Sequence, residues 1–117
     1  MTALAPIVEK KFKHASLQVL PDGVAVITAT DGYIPIEEFK KAFNEIGKLV
    51  VPHKITKLVF DKRELKVFHQ PSMEWYFIHW KEDMYSLGLR THRKILPNDI
   101  SFTKSVEIGR AQIEKKH

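Results

Sequence analysis

Apolar and polar residues alternate with a period of two from Ala15 to Leu20 and again from Val24 to Ala29. Between them Pro21-Asp22-Gly23 supplies the backbone angles of a turn, so the spacing predicts a β-hairpin. In its second arm Val24, Val26 and Thr28 share one side and Ala25, Ile27 and Ala29 the other. Apolar groups on both sides suit an inner strand. After the Asp31-Gly32 turn the period changes. Ile36, Phe39, Phe43, Ile46 and Val50 recur at helical spacing, with Pro35 in the first turn, Glu37 and Glu38 at the positive end of the helix dipole, and Pro52 as the stop.

The stretch from Ile55 to Asp99 reads as one βαβ unit. ITKLVFD is a β-branched strand ending in the charged turn KRE, and PSMEWYFIHWKEDMYSLGL is an aromatic-laden helix broken at Gly88. RTHRKILP is a short basic strand. At 100° per residue Met73, Tyr76, Phe77, Trp80, Met84 and Leu87 form one broad face that packs on the sheet. Trp75, Ile78 and Tyr85, with Glu82 among them, form a second strip. Pro97-Asn98-Asp99 offers a turn and an N-cap for a last helix, whose apolar stripe is Phe102, Val106, Gly109 and Ile113. The order is ββαβαβα, an α/β fold with a mixed sheet of four to five strands. Leu58, Val59 and Phe60 belong to its central member. The basic strand belongs near an edge, because Thr91 to Lys94 has no apolar face.

The chain of 117 residues fits one domain, 1–117, with a core large enough to need no staples. There is no cysteine, which excludes disulfides, thiolate metal sites and cysteine nucleophiles and suits a reducing cytoplasm. No apolar run is long enough for a signal-peptide core or a membrane span. Lysine and arginine exceed aspartate and glutamate by 19 to 14, but the charges are mostly interleaved, as on a solvated surface. One exception is the basic patch Arg90, His92, Arg93 and Lys94, and another is the terminal Lys115, Lys116 and His117. No aromatics interleave with the patch, so nucleic acid is not an expected partner.

With LVFDKR closing a central strand, a Trp-bearing helix opened by Pro-Ser, and GLRTHRKILPND before the last helix, the chain resembles the SpoIIAA-like branch of the STAS fold, which is grouped with the CRAL-TRIO (Sec14) architecture. The resemblance spans Leu17 to Ile113 and implies a STAS-like module acting through protein contacts. The CRAL-TRIO relation would also allow an apolar or lipid ligand. In anti-sigma antagonists of this fold the central strand is followed by Asp-Ser, and the serine is phosphorylated. Here the place reads Asp61-Lys62, so the phosphoswitch lacks its acceptor.

Asp61 and Arg63 leave the central strand at its carboxyl end, where open α/β sheets place ligands. Either they bind a polar partner, or Asp61 caps the turn and Arg63 pairs with an acid nearby. Ser72 has no G-x-S-x-G around it and takes the place of a helix N-cap. The strip Trp75, Ile78, Glu82, Tyr85 has two readings. It is a subunit interface or apolar ligand groove, or it is covered by the first helix or by the loop KVFHQ. His79 and Asp83, four apart with Glu82 nearby, could offer two ligands on one helical side. A metal needs three or four with support, so His69 or His92 would have to approach, and a surface pair explains them better. No metal or cofactor is expected, and no decisive catalytic signature is present. The same histidines and carboxylates could serve acid–base catalysis as in almost any domain, so an enzyme is the third reading. The expected function is a non-enzymatic interaction or regulatory module, dimeric or bound to another protein. The alternative is an apolar-ligand carrier.

Overall fold

The computed structural model describes residues 5–67, 69–96 and 100–116, with the side chains of 100–105, 109 and 116 outside the description. Strands β1 (Val8–Lys11), β2 (Ala15–Leu20) and β3 (Val24–Ala29) precede helix α1 (Ile36–Val50) and strand β4 (Lys57–Asp61). A long composite helix follows: α2 (Gln70–Glu74), a π-helical segment (Trp75–Trp80) and α3 (Lys81–Leu87). Strand β5 (Thr91–Ile95) and helix α4 (Ile100–Lys116) complete the chain. The five strands lie in sequence order in one mixed sheet, with β1, β2 and β3 antiparallel and β3, β4 and β5 parallel. Among the described residues no helix is long and apolar enough to cross a membrane.

The hairpin, the inner position of β4 and the edge position of β5 agree with the alternation in the sequence. β3 rather than β4 is the middle strand. β1 is an additional strand, giving the order βββαβαβα. It left no mark in the hydrophobic pattern because an edge strand of sequence VEKK, mostly exposed, buries only part of Val8. Lys10 ties it to α1 through Glu45, 2.9 Å away.

Among the described residues the helices pack on one face of the sheet, α4 through Val106 and Ile113. Ala15, Leu17 and Val19 of β2, Ala25, Ile27 and Ala29 of β3, and Leu58 and Phe60 of β4 are buried there. The three alanines leave depth for the large side chains of the helix layer. Phe39 and Phe43 stack with centroids 4.3 Å apart, and Phe43 meets Phe60, Tyr76 and Trp80. Burying each phenylalanine contributes about 1.5–3 kcal/mol. Trp80 joins the two helices, its Nε1–H donating to the Phe43 carbonyl at 3.0 Å. Opposite, Val24, Val26 and Val59 are half-buried on a sheet face that no described helix covers.

Gly23 is fixed by two demands. Its φ is +81°, and a Cβ there would stand 2.7 Å from the Lys54 carbonyl oxygen. Its own carbonyl accepts from the N–H groups of Thr56 and Lys57, which seats the start of β4 against the hairpin turn. Gly88, with φ +115°, ends the composite helix as the sequence predicts.

The composite helix departs from expectation in two ways. It begins at Gln70, so His69 rather than Ser72 is the N-cap, and Ser72 is buried in the first turn with Oγ 3.4 Å from His69 Nδ1. Its middle six residues, WYFIHW, form a wider π turn. That turn offsets the forward drift that four residues accumulate in an α-helix, so Tyr76 and Trp80 stack at 5.5 Å. Met73, Tyr76, Trp80 and Met84 are buried as the helical face requires, whereas Phe77 is half-buried and Leu87 is exposed. Leu89, just past the helix, is buried in the core. The proposed N-cap Asp99 and the side chain of Phe102 lie outside the described residues. Val106 and Ile113 of α4 do face the core.

A candidate anion-binding site around Phe77

Phe77 meets residues of α4 and β5. The ammonium of Lys94 lies 4.7 Å from its ring centroid, the guanidinium of Arg110 5.4 Å and the ammonium of Lys81 5.7 Å. All three are within the roughly 6 Å over which a ring face attracts a cation. A ring has two faces, so at least two of these cations share one and repel each other. No ion pair among the described residues engages any of the three.

The elements that converge here are far apart in sequence. In β5 His92 stands beside Leu58 and Lys94 beside Phe60, so both side chains rise toward the helix layer. Lys81 begins the α-helical turn after the π segment, and Arg110 reaches over from α4. Beneath them lies Lys62, directly after β4 and only 2% exposed, its ammonium 4.9 Å from the Phe60 ring centroid. Burial, with Lys94 and Arg110 adding to it, pulls the Lys62 ammonium down to about 6. Lys94 is lowered first by burial and then by Arg110 and Lys81. Burial comes first in both shifts, and the neighbouring cations add to it.

Next to this cluster Tyr76 Oη and His92 Nδ1 are 2.7 Å apart. Burial, then Lys81 and Lys94, push the His92 imidazole down to about 4, and burial raises the Tyr76 phenol. Both are neutral near pH 7. Two hollows flank Phe77. An open groove of about 570 Å³ is lined by Phe77, Lys81, Glu82 and Tyr85, and a hollow of about 170 Å³ by Phe77, Ile78, Arg110, Ile113 and Glu114.

The residues singled out from sequence are distributed differently. Asp61 is spent on Arg63, whose guanidinium bonds its carboxylate at 2.7 and 3.0 Å while the Arg63 N–H donates at 3.1 Å. Arg63 holds the Asp61 carboxyl below its usual range. Trp75 and Ile78 are half-buried in different places. Trp75 stands edge-on to Phe39 under the Lys40 ammonium, and Ile78 lies beside α4. Tyr85 is 59% exposed with the Arg90 guanidinium 3.9 Å from its ring centroid, and Glu82 is exposed. The π turn takes up about one extra residue, roughly 100° of rotation, so the strip expected at α-helical spacing is not one surface. His79 and Asp83 are likewise exposed, and among the described residues no three imidazoles or carboxylates gather to hold a metal. Of the basic patch, His92 and Lys94 enter the Phe77 cluster, while Arg93 points to the opposite sheet face.

The sequence pattern marks neither Lys81 nor Arg110, and it marks Phe77 only as part of the sheet-facing side of the helix and Lys62 only as the residue in the serine's place. No protein-family model, curated protein or solved structure matches the chain.

Proposed function

We propose that this domain is a non-enzymatic binding module that recognises an anionic group of its partner or ligand at the Phe77 cluster. The observation that carries this reading is the gathering of Lys81, Lys94 and Arg110 on one ring with no carboxylate paired to them among the described residues. An arriving anion relieves their mutual repulsion and accepts charge-assisted hydrogen bonds from them. The reading agrees with a SpoIIAA-like module. The parallel run β3-β4-β5 with every described helix on one face supports that architecture, and lysine at position 62 in place of a serine leaves recognition independent of the phosphoswitch. The open groove beside Phe77 and Tyr85 favours a second reading, in which the anion carries an apolar body.

The test is a titration of 15N-labelled protein with inorganic phosphate at low ionic strength. Amide signals of residues 77, 81 and 94 should move together, and Lys94→Gln or Arg110→Gln should weaken binding about fivefold or more. Signals that stay fixed to millimolar phosphate would sink the reading.

A further inference from the structure

β5 is an edge strand whose inner side is settled. The Thr91 N–H donates to the Thr56 carbonyl at 3.0 Å, and the Ile95 carbonyl accepts from the Lys62 N–H at 2.8 Å. Backbone groups alternate along a strand, so His92 and Lys94 turn their N–H and C=O groups to the open edge. No described strand pairs with that edge. The side chains of the same two residues rise into the helix layer, His92 to Tyr76 and Lys94 to Phe77.

Charge on an edge is a common protection against unwanted pairing. Arg90, Arg93 and Lys94 serve it against a second copy, since β5 laid on β5 would set like charges opposite each other. The same charges favour an acidic strand. We propose that β5 accepts an extended acidic segment of a partner protein as a sixth strand of the sheet. The backbone of that segment meets His92 and Lys94, and its alternate side chains carry carboxylates to Lys94, Lys81 and Arg110. The proposal rests on the anion-binding reading of the Phe77 cluster and adds to it the partner's backbone and the spacing of its acids. Alternation follows from pleating, because only every second side chain of an added strand rises on the helix side. The open groove lined by Phe77, Lys81, Glu82 and Tyr85 gives those side chains room, with their carboxylates directed to the Lys81 side of it and away from Glu82.

The test uses the full chain and a synthetic hexapeptide of alternating glutamate and threonine. Binding should slow amide hydrogen exchange at His92 and Lys94 about tenfold or more, and leave Thr91 and Arg93, which face β4, little changed. Lys94→Gln removes a charge and keeps the outward N–H, whereas Lys94→Pro removes both at a site where an edge strand tolerates proline. Lys94→Pro should bind about fivefold more weakly than Lys94→Gln. Should Lys94→Pro fail to fold, the exchange measurement on the wild-type chain decides alone. Binding without protection at His92 and Lys94 would overturn strand addition and leave the anion site standing. Failure of both phosphate and peptide to bind would overturn the anion reading itself. Equal affinity for an alternating lysine-threonine peptide, or tighter binding of an oligothymidylate, would also refute an acidic segment as the occupant.

Discussion

The phenol of Tyr76 and Nδ1 of His92, 2.7 Å apart, join the π turn of the composite helix to the edge strand β5. They do so with two neutral groups amid cations. An imidazole left unprotonated can accept the phenolic proton at Nδ1 and keep its own N–H on Nε2. A protonated one would add a further charge beside Lys81 and Lys94.

His92 should therefore titrate near 4 rather than near the ordinary 6.5. Its folded value is depressed, so its contribution to stability is full above 6.5 and is lost as pH falls through about 4. Tyr76→Phe should cost about 1 kcal/mol at pH 7 by removing one hydrogen bond. Histidine side-chain NMR and denaturant melts across this window check both. A His92 midpoint near 6.5 would contradict the geometry.

Lys62→Met should stabilise the domain. In the wild-type chain the lysine is held down to about 6 against an ordinary 10.5, so folding gains as pH rises across that interval, where the unfolded chain holds the extra proton. Methionine removes the cost of giving up that proton on folding and keeps the apolar stem, a gain of about 1–4 kcal/mol at neutral pH. Thermal melts at pH 7 and pH 9.5 should converge as the pH rises. A variant less stable than wild type at both would refute the account.

Gly23→Ala should be destabilising by about 1–3 kcal/mol, because the backbone there has positive φ and the added Cβ meets the Lys54 carbonyl. The loss should appear as a lower urea midpoint with an unchanged slope.

Charging the two ends of the former strip should have opposite results. Tyr85→Glu lies on the surface and should change stability by less than about 0.5 kcal/mol. Trp80→Glu buries a charge beside Phe43 and Tyr76 and should leave no cooperative unfolding transition. A stably folded Trp80→Glu would show that the helix layer is packed otherwise.

The hairpin, α1 and β4 were legible because their apolar residues sit at the periods of a sheet covered on one face and of a helix lying on it. Val8–Lys11 was not, since an edge strand needs no buried face and VEKK offers none. The composite helix was legible as a helix but not in phase. Nothing in WYFIHW distinguishes a π turn from an α turn, and one extra residue of winding separates Trp75 from Tyr85. The site was less legible still. Lys62, Phe77, Lys81, Lys94 and Arg110 have no common spacing, and only the packing of α4 and β5 against the helix brings them together.

The two tryptophans, five positions apart on one helix, sit in different surroundings. Trp80 is 2% exposed with its indole bonded to a carbonyl of α1, while Trp75 is half-open beneath a lysine ammonium. Their fluorescence therefore divides. Trp80 emits from a dry, aromatic setting and Trp75 from a partly wet one, so iodide should quench mainly the longer-wavelength part of the spectrum. With Trp75→Phe the remaining emission tracks the α1 contact alone, and the domain carries an intrinsic optical reporter of whether its helix layer is closed.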